Sequence, residues 1–146
     1  MKREYPDRPI VGVGAVIVDN RRVVVVRRGT EPLRGEWSIP GGVLELGETL
    51  RAGTEREARE ETGLVVKAGE VVGVFDRVVP SEDGRTRFHY VLIDFRCEVV
   101  SGELCAGGDA AEARWITVED LAELSIGEPT AGLIRKALQA EPTTDN

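Results

Sequence analysis

The pattern of apolar and polar residues predicts strands in the first quarter of the chain. A β-branched apolar run covers 11–18 and stops at Asp19-Asn20, a pair typical of a turn. Four consecutive valines, Val23 to Val26, follow, and a short unbroken apolar run of this kind predicts a strand that is buried on both faces. Together the two runs predict a hairpin at the centre of a layered domain.

A helix is predicted over residues 50–62. Thr49, just before it, is a good N-cap residue, and Gly63, just after it, suits the left-handed conformation that ends many helices. Gly53 lies inside this helix, where glycine costs about 1 kcal/mol relative to alanine. The glycine therefore indicates either close packing or mild strain at that position.

The rest of the chain predicts further strands and two helices, separated by a glycine-rich loop over 101–111. The strands are predicted over 64–67, 70–79, 87–100 and 114–116. The helices are predicted over 118–124, capped by Thr117, and over 129–139. Strands and helices in this order predict an α/β/α sandwich around a mixed sheet. We expect a single domain over 1–146, with flexible ends at 1–8 and 141–146.

Composition and charge narrow the class of protein. With 26 acidic and 19 basic residues among 146, the formal net charge is −7, which argues against binding to duplex nucleic acid. No apolar run approaches the roughly 18 residues of a membrane span, and the first residues lack the apolar core of a signal peptide. The two cysteines, Cys97 and Cys105, are too few for a disulfide framework. We therefore expect a cytoplasmic protein without a membrane partner.

Six glutamates lie within residues 45–61, and three of them share one face of the predicted helix. Glu57, Glu60 and Glu61 are three and four residues apart, which places their carboxylates about one turn from each other. Carboxylate oxygens are ligands that Mg²⁺ and Mn²⁺ prefer. An ordinary solvated helix face has the same pattern, so these three residues alone do not decide between the two interpretations.

A longer motif surrounds these glutamates. Gly42 is followed after five residues by Glu48 and after seven more by the stretch REAREETGL at 56–64. The whole segment, 42–64, closely resembles the Nudix box of a family of hydrolases: all seven fixed positions match, and apolar residues fill both hydrophobic slots. Two further parts of the chain resemble the family, the approach to the box at 37–42 and a closing strand at Trp115.

The resemblance implies a Nudix-type α/β/α sandwich and a metal-dependent pyrophosphohydrolase. Such an enzyme uses Mg²⁺, or Mn²⁺, to split the diphosphate of a nucleoside diphosphate joined to another group. The pattern is most similar to that of ADP-ribose pyrophosphatases. Hydrolases of nucleoside triphosphates and non-catalytic nucleotide sensors are the alternatives, and the retained acids of the box argue against a sensor. Homodimers are frequent among such enzymes.

The resemblance also implies roles for individual residues. The metal ligands are the Gly41 carbonyl and the carboxylates of Glu57, Glu60 and Glu61, and the catalytic group adds Glu48 and Arg56. Arg56 is interpreted as an orienting partner for a box carboxylate, while a plain i,i+4 pair with Glu60 also explains it. The general base is left open between Glu57 or Glu60 on the helix and two acids on the loop before Trp115, Asp109 and Glu112.

Substrate binding is expected to use the net-positive first third of the chain. The candidates are Arg27, Arg28, Arg34 and Trp37, together with Asp109 and Glu112. Each arginine, considered singly, is also explained as an ordinary surface residue, and Trp37 is also explained by packing in the core or the pocket wall. The only asparagines are Asn20, in a turn, and Asn146 at the C-terminus. Any specificity for a nucleobase must therefore use the backbone or other side chains.

Overall fold

A computed structural model describes residues 2–30 and 33–139. Seven strands are formed: β1 (Ile10–Asp19), β2 (Arg22–Arg28), β3 (Trp37–Ser38), β4 (Gly41–Val43), β5 (Leu64–Pro80), β6 (Thr86–Gly102) and β7 (Ala110–Ile116). Three helices accompany them: α1 (Leu50–Thr62), α2 (Asp120–Glu123) and α3 (Thr130–Gln139). Of the two ends predicted to be flexible, 141–146 lies outside the described residues. In the other, the Tyr5 N–H donates to the carbonyl of Arg87.

The strands form a mixed sheet in the order β3-β2-β1-β6-β5, with β4 also pairing with β1 and β7 with β2. The β1–β6 pair is parallel, and the other pairs are antiparallel. Apolar clusters fill both faces of this sheet, one beneath α1 and the other beneath α2 and α3. The predicted α/β/α sandwich with a mixed sheet is therefore confirmed. Within the described ranges, no helix has the length and apolar character needed to cross a membrane.

The four consecutive valines are buried because β2 has a packed layer on each side. Val23 and Val25 point into the cluster shared with α3, whereas Val24 points into the cluster shared with α1. Successive side chains of a strand alternate between faces, so a strand buried on both sides can be apolar at every position. The prediction of a central, doubly covered strand is confirmed.

The predicted bounds of α1 are also confirmed. Its first turn is capped by Thr49, whose hydroxyl accepts a hydrogen bond of 3.1 Å from the Ala52 N–H, and it ends at Gly63, where φ is +75°. Gly53 is explained by close packing: a Cβ there would lie 2.7 Å from Cδ1 of Leu44 and 2.9 Å from Oε1 of Glu48. The glycine lets the loop before α1 lie directly against the helix.

Predicted elements differ in extent at three places. The strands predicted over 64–67 and 70–79 form one continuous strand, β5. The strand predicted over 114–116 begins at Ala110 because it pairs with β2 along its length, so Glu112 lies on a strand and not on a loop. The helix predicted over 118–124 is only Asp120–Glu123 and has no capping side chain. Instead, the carboxylate of Asp120 accepts a 2.9 Å hydrogen bond from the Thr117 N–H, which forms a turn before the helix.

Candidate active site

The box residues converge where β4 lies against α1. The Gly41 N–H donates a 2.9 Å hydrogen bond to Oε2 of Glu61. At Gly42, a Cβ would lie 2.5 Å from the carboxyl carbon of Glu57, so only glycine allows this carboxylate to rest on the strand. The sequence Gly41-Gly42 therefore brings two glutamates of α1 against the backbone of β4.

Arg56 ties the remaining box acids together. Its Nε and Nη2 donate to the two carboxylate oxygens of Glu48 at 2.7 and 3.0 Å, a bidentate pair. Its Nη1 donates to Glu57 at 2.9 Å and more weakly to Glu60 at 3.4 Å, and Nη2 also reaches the carbonyl of Val43 at 3.2 Å. All of these contacts are with other groups of the box segment, 42–64. The guanidinium thus holds the loop before α1 against the helix.

The charge balance differs among these carboxylates. The hydrogen bonds from Arg56 hold the pKa of Glu48 below its ordinary value. Hydrogen bonding to Glu48 in turn raises the pKa of Arg56. For Glu57 burial is the stronger effect and raises the pKa, although Arg56 opposes it. Glu57 therefore has an ionised form that its surroundings do not fully stabilise.

Glu61 is less well compensated still. Burial raises its pKa to about 7, against the opposing effect of the Gly41 hydrogen bond. The negative charges of Glu57 and Asp109 raise it further, and the positive charge of Arg28 acts in the other direction. No described residue forms an ion pair with Glu61. A cation at this position would stabilise both carboxylates.

The donor set fits a hard divalent cation. Glu57 and Glu61 supply carboxylate oxygens, which such ions prefer, and they meet on a glycine segment without side chains. Glu60 is more exposed, at 54%: its carboxylate accepts weak hydrogen bonds of 3.4 Å from Arg56, and its negative charge also raises the pKa of Glu57. In residues 2–30 and 33–139, no three His, Cys, Asp or Glu side chains are placed together closely enough to hold a metal. The structure thus brings together two of the predicted carboxylate ligands.

The acids before Trp115 separate into two positions. Asp109 lies in the loop before β7 and acts electrostatically on Glu61. Its carbonyl accepts a 2.9 Å hydrogen bond from the Gly29 N–H. Glu112 lies on β7 and forms an ion pair of 3.4 Å with Arg27, in which both side chains are about 40% exposed. Of these two acids, Asp109 is the one near the helix glutamates.

The predicted substrate-binding arginines and Trp37 lie on β2, on β3 and in the loop between these strands. Arg28 acts on Glu61, and its Nε also donates to the carbonyl of Thr30 at 3.3 Å. Arg27 pairs in register with Trp37 on β3, with its guanidinium 6.0 Å from the ring centre. Arg34 is exposed in the loop between β2 and β3. The arginines therefore do not form one cluster.

Arg114 is a residue that the sequence did not single out. Its guanidinium lies 5.2 Å from the ring centre of Trp37, so two arginines, Arg27 and Arg114, lie beside this ring. The available signal was the spacing of Glu112 and Arg114, which share one face if the segment is a strand. The predicted strand contains Arg114 but begins after Glu112, so their shared face was not predicted.

Residues 8–137 match the family model described as the NUDIX domain. An ADP-ribose pyrophosphatase from Methanocaldococcus jannaschii is 36% identical over 117 residues, which cover 80% of this chain and 67% of that protein. A MutT-like protein from Streptomyces ambofaciens is 33% identical over 110 residues, covering 75% and 64%. The chain thus spans about two thirds of the length of these curated relatives. A crystal structure of a NUDIX hydrolase from Nitrosomonas europaea has the same fold, with a TM-score of 0.74 at 24% identity, covering 92% of this chain and 72% of that one.

Proposed function

Because the chain belongs to the Nudix hydrolase family, we propose that it is a metal-dependent pyrophosphohydrolase acting on a nucleoside diphosphate joined to another group. ADP-ribose is the first candidate substrate, since the relative from Methanocaldococcus jannaschii is an ADP-ribose pyrophosphatase. The single observation that supports this proposal most strongly is the pair of undercompensated carboxylates, Glu57 and Glu61, held against Gly41-Gly42. A diphosphate is itself anionic, so an acidic site of this kind requires cations to accept it.

Mg²⁺ or Mn²⁺ would be held by Glu57, Glu61 and the Gly41 carbonyl, with Glu60 as a further ligand. When bound, such an ion neutralises phosphate oxygens and lowers the pKa of a water molecule. Arg56 orients the carboxylates through its internal hydrogen bonds with Glu48 and Glu57, and we assign it no contact with substrate. The role of this arginine is therefore positioning.

The proton of the attacking water needs an acceptor. Glu57, Glu60 and Asp109 are the candidates, and the proximity of Asp109 to Glu61 favours Asp109 over Glu112 among the acids before Trp115. The positive charge of Arg28 acts on Glu61, and this arginine is our candidate for a phosphate contact. Arg27 and Trp37, which pair on neighbouring strands, are our candidates for contacts with the nucleoside or the attached group.

We propose a cytoplasmic setting, which the two free cysteines support: Cys97 is buried, Cys105 is exposed, and they are not bridged. The proposed partner is a small anionic molecule and not a nucleic-acid duplex, in keeping with the net charge of −7. A homodimer, frequent among similar enzymes, is proposed only by that resemblance.

The decisive experiment is a substrate panel with purified protein. ADP-ribose, nucleotide sugars, dinucleoside polyphosphates and nucleoside triphosphates are each tested with Mg²⁺ and with Mn²⁺. We expect diphosphate-linked compounds to be hydrolysed fastest. Glu57→Gln and Glu61→Gln should each lower kcat/KM by about a thousandfold, since loss of a metal ligand removes several kcal/mol of transition-state stabilisation.

Glu98→Gln is the matched control, because this glutamate is exposed on β6, away from the box. It should keep the activity of the wild type. Turnover that survives both box substitutions would contradict the proposed metal site. Preference for nucleoside triphosphates would favour the alternative of a nucleoside triphosphate hydrolase, and tight nucleotide binding without turnover would favour a sensor.

A further inference from the structure

Asp94 is a buried carboxylate that the proposed chemistry does not use. It lies on β6 with only 8% of its surface exposed. Among residues 2–30 and 33–139 it has no hydrogen-bond or ion-pair partner, in contrast to the acids of the box. Burial raises its pKa to about 6. A buried polar group without a partner costs stability, so the position calls for an explanation.

Its place in the sheet links Asp94 to the candidate active site. Gly14 on β1 pairs in register with Gly41 on β4 on one side and with Asp94 on β6 on the other. On the far side, Asp94 pairs with Gly73 of β5. These four residues form one row across the sheet, in which Asp94 has a glycine on each side. Asp94 lies two strands, or about 10 Å, from Gly41.

The carboxylate lies over Gly14. A Cβ at that glycine would overlap Oδ1 of Asp94, and Cδ1 of Ile39 lies 2.9 Å from the same point. Ile39 is half-buried and directly precedes the Pro40-Gly41 segment. The acid thus leans across β1 toward β4, on the face of the sheet opposite α1. Glycine at position 14 is required to leave space for this orientation.

We propose that Asp94 selects the substrate by accepting a hydrogen bond from the amino group of its nucleobase. This inference rests on the proposed function. A buried carboxylate accepts hydrogen bonds and donates none when ionised, so it matches an N–H group. In a nucleoside diphosphate the base lies farther from the diphosphate than the ribose does, and Asp94 is likewise removed from Gly41 by two strands.

Two further features support a role in recognition. Asn20, the asparagine that the structure describes, lies in the turn between β1 and β2 and not beside Gly41. Ile39 and Leu92, on the same face as Asp94, are half-buried and apolar, as suits the flat surface of a base. Arg96, two residues farther along β6 on this face, is engaged elsewhere, since its guanidinium donates a 2.9 Å hydrogen bond to the carbonyl of Ala137. A site that leaves a polar group unpaired when the matching substrate group is missing discriminates strongly.

The test compares ADP-ribose with its analogue that carries hydrogen in place of the 6-amino group. The wild type should prefer ADP-ribose by about ten- to a hundredfold in kcat/KM, the range expected for a hydrogen bond to a charged group. In Asp94→Ala this ratio should fall to about one, mostly through a higher KM for ADP-ribose. Asp94→Asn, which keeps the volume of the side chain, should give an intermediate ratio and carries the test if the alanine variant does not fold.

Asp76→Ala is the matched control, because Asp76 is exposed on the neighbouring strand β5, and it should keep the wild-type ratio. A wild-type ratio near one, or an unchanged ratio in both Asp94 variants, would overturn this inference while leaving the proposed function in place. Absence of ADP-ribose turnover in the wild type would overturn the proposed function and the inference with it.

Discussion

Glu48 and Glu61 belong to the same motif, yet the structure treats their charges in opposite ways. Glu48 receives two hydrogen bonds from one guanidinium, and its pKa is lowered. Glu61 receives one hydrogen bond from a backbone N–H, and burial raises its pKa to about 7. The first carboxylate is neutralised within the protein, whereas the second is left with a deficit of positive charge.

This difference separates the scaffold of the site from its chemistry. The Glu48–Arg56 pair connects the loop before α1 to the helix, so it fixes where the other carboxylates lie. Glu57 and Glu61 occupy the fixed positions and keep the capacity to bind a cation. A single acidic cluster therefore contains groups that hold the structure and groups that are available to a ligand.

The largest expected effect comes from removing the guanidinium of Arg56, which Glu48 and Glu57 share. Arg56→Met should lower the free energy of unfolding by about 3 kcal/mol, because it leaves the mostly buried carboxylates of Glu48 and Glu57 without a counter-charge. Urea denaturation at pH 8 measures the change. Arg59→Met removes an exposed arginine from the same helix and should change stability by less than about 0.5 kcal/mol. Equal effects of Arg56→Met and Arg59→Met on stability would mean that the Glu48–Arg56 ion pair has no structural role.

A smaller effect, with opposite signs at the two positions, is expected from neutralising each acid. The folded-state pKa of Glu61 is about 7 against an ordinary 4.5, so ionisation costs stability above pH 7 and costs nothing below pH 4.5. With metal chelated, Glu61→Gln should therefore be more stable than the wild type at pH 8 by about 1–2 kcal/mol and equal to it at pH 4.

Glu48→Gln should behave in the reverse manner. Its pKa is lowered by folding, so the ionised carboxylate stabilises the protein above its ordinary pKa of 4.5, and this contribution fades as the pH falls. The variant should be less stable than the wild type at pH 8. Urea denaturation of both variants at several pH values measures these changes in the free energy of unfolding. A change of the same sign in both variants at pH 8 would contradict the comparison.

Sequence predicted the parts of the molecule that depend on local signals. The ends of α1 follow from Thr49 and Gly63, and the burial of β2 follows from its four valines, because caps and periodicity act over a few residues. The extent of β7 was missed, since Ala110 to Ala113 become a strand only through their pairing with β2. Strand formation by such a segment is decided by its distant partner.

The same limit applies to the site. Fixed spacing along one helix identified Glu57 and Glu61 as neighbours. The charge balance of Glu61 depends on its contact with Gly41, twenty residues earlier, and on the approach of Asp109 from the loop before β7. Likewise, the position of Asp94 over Gly14 follows from a parallel strand pairing that no local pattern reveals.

Direct titration with Mn²⁺, followed by electron paramagnetic resonance, tests most directly whether the undercompensated carboxylates hold the cation. Glu61→Gln should weaken Mn²⁺ binding by about a hundredfold or more, whereas Glu48→Gln, which only disturbs the orientation of the ligands, should weaken it by about tenfold. Mn²⁺ binding by Glu61→Gln as tight as that of the wild type would contradict the account and place the metal elsewhere.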